Sequence, residues 1–494
     1  MTNPSDVLDP SASTPDRPDR LSLRDRTVIA VLLVSTFVVI LNETIMSVAL
    51  PVLLTDLQVD ASVGQWLTAG FLLTMSVVIP VTGFLIRRVP TRLLYGVAMS
   101  LFSAGTLIAA LAPGFAVLMV ARVVQAGGTA IMLPLLMTTV MTLVPPARRG
   151  ALMGNISIVI SVAPAIGPTV SGLVLGVLGW RFMFWLVLPI ALAVLVLGLQ
   201  RISDVGERSD TPIDVASVVL SVLGFGGLVF GLSTIGESAT GVSPSVWVSF
   251  AVGIVGLALF VARQIVLQRT DRALLDLRTF KARTFTVATV MTMLMMSTLF
   301  GAIILLPIYM QSVLMLTPLA TGLLLLPGGL LMGLLGPVVG RLYDRFGARA
   351  LLVPGTVATS AALWSTTLFG IGTPVVLVLG FHLLLSLGLA LSFTPLFTAG
   401  LGAVAPRLYS YGSAIVGTTQ QLAGAAGVAL LVSVLSVRSA DLAAEGASVI
   451  EQTAGGVHTA FVVAAVLSVI AIAGSFFFGR KPAVEGTTVQ VAMH

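Results

Sequence analysis

Apolar residues run through this chain in blocks far longer than a soluble core requires. Fourteen such blocks fall at roughly 27–50, 62–86, 91–112, 115–143, 149–176, 180–200, 214–235, 244–268, 283–313, 318–341, 349–370, 373–403, 410–436 and 457–478. Each is close to or above the ~20 residues that a helix needs to cross a ~30 Å hydrocarbon layer. None alternates apolar and polar positions with period two in ten-residue pieces, as the strands of a membrane barrel do. The pattern predicts an all-α integral membrane protein with 14 transmembrane helices. Residues 1–20, "MTNPSDVLDPSASTPDRPDR", lack the apolar centre of a signal peptide. They read as most of a disordered tail over 1–26, and 479–494 reads as a second tail.

Composition agrees with the pattern. Of 494 residues, 57% are hydrophobic and 9% charged, with mean hydropathy +1.07; a soluble domain averages about 25% charged. The chain has no cysteine, which excludes disulfides, thiol nucleophiles and cysteine-held metals. It has no GxxxxGK[ST] phosphate loop, so ATP is not its visible energy source. No enzyme chemistry, cofactor or metal is expected.

The net charge of +6 is explained by sidedness. Arg17, Arg20, Arg24, Arg26, Arg87, Arg88, Arg92, Arg148, Arg149, Arg201, Arg208, the stretch Arg263 to Arg283, Arg341, Arg345, Arg349, Arg407, Arg480 and Lys481 all fall at one end of the spans. Arg181 and Arg438 fall at the other, beside Asp56, Asp60, Glu237, Asp441, Glu445 and Glu451. The positive-inside rule then puts both termini in the cytoplasm, as an even span number requires. Nucleic acid is not an expected partner. Membrane lipid is, with the stretch Arg263–Arg283 a candidate contact for anionic headgroups. Trp66 and Trp180, near the opposite end, read as interfacial anchors.

The chain also repeats itself. "GFLIRRVPTRLL" from Gly83 is echoed by "GRLYDRFGARALL" from Gly340. "MLPLLMTTVMTLVPPARRG" is echoed by "FTPLFTAGLGAVAPRLYSYG", matching Pro134 to Pro395, Pro146 to Pro406 and Gly150 to Gly412. An offset of about 260 residues corresponds to eight spans. The reading is two parallel six-helix halves, 27–200 and 271–478, with two helices inserted over 201–270. Such halves hold a solute site at their interface near the midplane.

Within this apolar frame a few polar residues stand out. "FVVILNETIMSVALP" carries Glu43 into the first span, the only acid placed deep in any of them. On a helical wheel Thr36, Glu43 and Ser47 fall within about 40° of one another, with Asn42 on the adjoining face. An ionisable group at this depth costs a few kcal/mol and belongs in the bundle interior or a wet cavity. It is there either to exchange a proton for another cation or as a locked structural group. Arg122 in the fourth span lies at matching depth: both are eight residues, about 12 Å, from the outer end of their helices. Arg122 either serves Glu43 or bonds backbone carbonyls, and Gln125 lies three residues on. His382, near the repeat-equivalent position, has an imidazole that ordinarily titrates near neutrality, although a lone His is more often a packing residue. Tyr309, Gln311, Gln420 and Gln421 are candidate cavity-lining residues of the second half. The two glutamines read equally well as interhelical hydrogen bonds.

At these residues the chain resembles the major facilitator superfamily, and within it the 14-span drug:H⁺ antiporter family of multidrug, quaternary ammonium and lincomycin-type efflux pumps. "LNETIMSVALP" (41–51), "RVVQAGGTA" (122–130), "GPTVSG" (167–172) and "GRLYDRFG" (340–347) are similar to its first-helix, fourth-helix, antiporter and loop motifs. The resemblance covers about 25–480. It implies a monomeric proton-driven exporter of amphipathic, cationic small molecules in a bacterial inner membrane, working by alternating access. It implies proton coupling through Glu43 with Arg122, a hinge at Gly167, Pro168 and Gly172, and gating loops at Gly83 and Arg88 and at Gly340, Asp344, Arg345 and Gly347. The chain departs from the family in Asn42 where Asp is usual, Arg87 where Asp is usual, Pro90 where Gly is usual, and Ser171 in place of a Gly. A dedicated exporter of one metabolite, antibiotic or lipid is the alternative expectation.

Overall fold

A computed structural model describes residues 21–59, 61–64, 66–205, 212–235 and 244–479. Most of the two expected tails therefore lies outside the described residues. The first half contains α1 (Leu23–Asp56), α2 (Trp66–Arg88), α3 (Thr91–Ala110), α4 (Phe115–Leu143), α5 (Arg149–Val177) and α6 (Arg181–Arg201). Next comes an inserted pair. α7 is Val215–Ser221 and Gly227–Ile235 joined through a π turn at Val222–Gly226, and α8 is Pro244–Leu267. The second half contains α9 (Arg283–Ser312), α10 (Pro318–Phe346), α11 (Arg349–Ser365), α12 (Val375–Gly402), α13 (Tyr409–Ala444) and α14 (Val449–Ser475). Among the described residues these are 14 helices long and apolar enough to cross a membrane.

Helix ends follow cap chemistry more closely than they follow hydropathy. α14 begins before the apolar run at 457 because Ser448 and Glu451 form a reciprocal capping box. α1 starts at Leu23 because the Ser22 side chain accepts from the Asp25 N–H. α10 ends at Gly347, whose φ of +81° a side chain would strain. Trp180 is not an interfacial anchor as expected: it is 3% exposed, and its Nε1 donates to Asp56 at 2.7 Å.

The repeat reappears in the packing. In the first half α1 lies against α4, α5 and α6, α2 against α4, and α3 against α4 and α6. In the second half α9 lies against α12, α13 and α14, α10 against α12, and α11 against α12 and α14. Each contact recurs eight helices later. The halves meet along two seams, α5 with α10 and α2 with α13, which the repeat also relates. α7 lies against α2 and α13, and α8 packs on α7. Lipid offers helices no hydrophobic drive to associate, so close approach depends on small residues. A Cβ added at Gly227 of α7 would lie 2.9 Å from the Gly253 Cα of α8.

Candidate functional site

Glu43 lies mid-helix in α1 and is half-buried. Among the described residues its carboxyl makes no hydrogen bond and no ion pair. Its neighbours are tightly held. Asn42 is 2% exposed, with its Nδ2 lacking a partner. Thr44 donates to the Leu41 carbonyl at 2.9 Å and approaches the Ala163 carbonyl of α5 at 3.4 Å. Gly167 of α5 sits directly on Thr44: a Cβ there would lie 2.3 Å from Thr44 Oγ1. The first glycine of "GPTVSG" thus lets α5 press against the residue beside Glu43.

Arg122 of α4 is 1% exposed. Its Nε donates to the Leu67 carbonyl of α2 at 3.3 Å and its Nη1 to Gln125 Oε1 at 3.1 Å. Gln125 Nε2 passes the chain on to Thr106 Oγ1 of α3 at 2.9 Å. The guanidinium lies 4.0 Å from the centroid of the Phe71 ring. Glu43 and Arg122 are within electrostatic reach of each other without a bond between them. The cation is therefore fixed by its own network, while the anion is left without a fixed partner. A buried ion pair with full hydrogen bonding would lock both groups; this arrangement locks only one.

The other expected residues divide by what their polar atoms already do. Thr36 is buried and donates to the Leu32 carbonyl of its own helix at 2.7 Å. Tyr309 donates to the Gly370 carbonyl at 2.6 Å and stacks on Phe369 at 5.3 Å, which ties it to the α11–α12 connection. Gln311 is exposed near the end of α9. Gln420 is 7% exposed with Nε2 unpartnered. Gln421 Nε2 reaches Met75 Sδ at 3.5 Å across the α2–α13 seam. His382 stays within the second half: its Nε2 lies 2.9 Å from the Leu325 carbonyl of α10 and its Nδ1 has no partner. Gly172 is exposed with open space around it. The side chains of Ser47 and Pro168 lie outside the described residues.

Both expected gating segments sit on the seams, at the end of the molecule that carries the arginines. A Cβ at Gly340 would lie 2.1 Å from the Gly150 carbonyl of α5, and one at Gly83 would lie 3.1 Å from the Ser410 carbonyl at the start of α13. Asp344 receives the Gly150 and Ala151 N–H groups, each at 2.9 Å, and so places its charge on the α5 N-terminus. Arg87, which stands where the repeat would place an Asp, instead donates to Tyr411 at 3.0 Å. Arg149 donates to Tyr409 at 3.1 Å. Both tyrosine rings also lie within cation–π reach of their arginines. Arg88 is exposed, and Arg345 lies over the Phe346 ring at 5.1 Å. Sequence reasoning missed Arg149, Tyr409 and Tyr411. The available signal was two tyrosines in "RLYSYG", next to the repeat match. The α5–α10 seam is tight from Gly150–Gly340 through Gly154–Gly336 and Val162–Gly333 to Ala165–Gly329. Further from the basic end, an added Cβ would meet nothing within 4 Å at Gly172 of α5 or at Gly322 of α10.

Two six-helix membrane halves with a half-buried, unbonded acid inside the bundle define a solute transporter. The chain belongs to the Major Facilitator Superfamily, whose family model matches residues 32–428. It is 40% identical over 456 residues to the lincomycin resistance protein LmrB of Bacillus subtilis (strain 168), covering 91% of this chain and 95% of that protein. It is 30% identical over 419 residues to a multidrug resistance protein B homolog of Mycobacterium tuberculosis (strain ATCC 25618 / H37Rv), covering 84% and 77%. Its fold is similar to the crystal structure of the human organic anion transporter MFSD10 (TETRAN), with TM-score 0.65, 16% identity and 91% and 99% coverage. It is also similar to the proton:xylose symporter XylE, with TM-score 0.60, 14% identity and 92% and 96% coverage.

Proposed function

We propose that the chain exports lipophilic, cationic drugs across the bacterial cytoplasmic membrane in exchange for protons. The observation that carries this reading is the Glu43 carboxyl, inside the bundle, half-buried and without a bonding partner. A group so placed can hold a proton or a cationic solute but not both, and exclusion of one by the other couples the two fluxes. The names of the LmrB and multidrug relatives support a drug as cargo. With the arginine-rich end in the cytoplasm, seams closed at that end correspond to a site facing outward, where Glu43 takes up a proton and releases drug. Rocking of the halves then opens the cytoplasmic end, where the proton leaves and the next cation binds. Because Glu43 is a single acid, monovalent cations are favoured over divalent ones.

The test is uptake of lincomycin and of a monovalent cationic dye into everted membrane vesicles energised by respiration. Uptake that collapses when a protonophore is added supports the proposal; uptake that survives the protonophore refutes proton coupling. Transport of one compound alone from a broad panel points instead to the dedicated exporter.

A further inference from the structure

At the basic end of the first half, away from both seams, α1, α3 and α6 surround an open cavity of about 430 Å³. It is lined by Arg24, Arg92, Gln200, Arg201, Ile202, Ser203 and Asp204. Three arginines and one aspartate leave the lining with two net positive charges (3 − 1). Among the described residues none of the three guanidiniums forms an ion pair or hydrogen bond. The single contact that links Arg92 to Asp204 uses the Arg92 backbone N–H, at 3.3 Å. The Asp204 carboxylate offsets one of the three like charges, and the excess that remains favours a further anion. Arg24 and Arg92 also lie in the first turns of α1 and α3, where the helix dipole disfavours a cation and favours an anion.

What lies beside the opening indicates what kind of anion fits. Leu93, Val97 and Leu101 form an exposed stripe along α3, with relative exposures of 56%, 45% and 37%. Leu192, Val196 and Leu197 form another on α6, ending at Gln200 and Arg201. Both stripes lie in membrane-spanning helices and run down to the cavity. A ligand that satisfies the whole surface has an anionic head and apolar tails.

We propose that this cavity is a binding site for the phosphate headgroup of an anionic glycerophospholipid, with its acyl chains on the α3 and α6 stripes. Guanidinium forks suit a phosphate because they donate two parallel hydrogen bonds to it, and the anionic cytoplasmic leaflet supplies such lipid at high local concentration.

The experiment is native mass spectrometry of the full-length protein, released from micelles containing phosphatidylglycerol or phosphatidylcholine. The wild type is compared with Arg24→Gln/Arg92→Gln/Arg201→Gln and with a charge-matched control at exposed arginines outside both the cavity and the Arg263–Arg283 stretch, Arg148→Gln/Arg341→Gln/Arg407→Gln. The expected result is at least tenfold preferential retention of phosphatidylglycerol by wild type and control, lost in the cavity variant. Single Arg92→Gln and Arg201→Gln variants, each with a several-fold loss, carry the test if the triple variant does not fold. Inorganic phosphate and glycerol 3-phosphate at millimolar concentration distinguish the source of the phosphate. Failure of both to displace the lipid supports the lipid site. Displacement by either at that concentration overturns it in favour of a soluble anion. Equal loss of lipid in the control and cavity variants overturns it in favour of diffuse attraction to the basic end.

Discussion

At the scale of single residues, the difference between Glu43 and Arg122 is one of bonding. Arg122 is held by Leu67, Gln125 and the Phe71 ring; Glu43 is held by none of them. Gln125→Ala would strand Arg122 Nη1 in the protein interior, while Thr106 Oγ1 keeps its bond to the Phe102 carbonyl. A cost of about 1–3 kcal/mol is expected for leaving such a group unsatisfied, visible as a lowered melting temperature in detergent. Gly167→Ala would drive its Cβ into Thr44. Overpacking of this kind costs roughly 1–3 kcal/mol, and drug export by that variant should fall severalfold, with partial recovery on adding Thr44→Ala. No recovery would separate Gly167 from the Glu43 environment. Glu43 was legible in the sequence because a lone acid in a long apolar run has few explanations. Thr36, Tyr309 and Gln311 are less informative polar residues: Thr36 bonds its own helix, Tyr309 ties a loop, and Gln311 sits near an exposed helix end. The pattern of types along a chain does not distinguish these fates from cavity lining, because that depends on which carbonyl lies nearby in space.

At the scale of elements, the inserted pair does more than pack. Asp214 caps α7 and is gripped by Arg263 of α8 at 2.6 and 2.7 Å. Gln264, fully buried, donates to Ser217 at 2.8 Å and accepts from the Leu274 and Leu275 N–H groups at 2.8 and 3.2 Å. The connection from α8 to α9 is thereby fixed, and its Ala273 carbonyl accepts from Tyr411, the partner of Arg87. The inserted helices therefore anchor a strap that reaches the α2–α13 seam. Gln264→Leu should loosen it, read as faster amide exchange over 271–281 with no change in α11 or α12. Arg263 holds the Asp214 carboxyl well below the usual carboxylate range. A depressed folded value means that the pair's contribution is complete above the unfolded pKa of about 3.9 and is lost only as pH falls through the folded one. Protection of the α7 and α8 amides, taken relative to the intrinsic exchange rate at each pH, should therefore be steady from pH 8 to 5 and fall only in strong acid, and Asp214→Asn should abolish that acid dependence. The fourteen spans were legible because hydropathy is averaged over some twenty residues. Their ends were less so, since one capping serine can move a boundary by two turns, as at Ser448.

At the scale of the molecule, two seams related by the repeat close the same end with different chemistry. The α5–α10 seam uses a carboxylate on a helix N-terminus, Asp344 with Gly150 and Ala151. The α2–α13 seam uses Arg87 with Tyr411. Asp344→Asn removes the charge but keeps an acceptor. It should shift the population toward opening at the basic end, raising the labelling rate of a cysteine placed at Ala151 severalfold, with Tyr411→Phe having a smaller effect. Equal rates in wild type and Asp344→Asn would show that the carboxylate does not hold that seam. The central claim is that Glu43 exchanges a proton for the drug. Its most direct test is drug-induced proton release from proteoliposomes in weak buffer, comparing wild type with Glu43→Gln. The account predicts proton release on adding lincomycin or a cationic dye to wild type, and none from Glu43→Gln. Equal release from both proteins would contradict it, leaving Glu43 a structural residue and placing the coupling elsewhere in the chain.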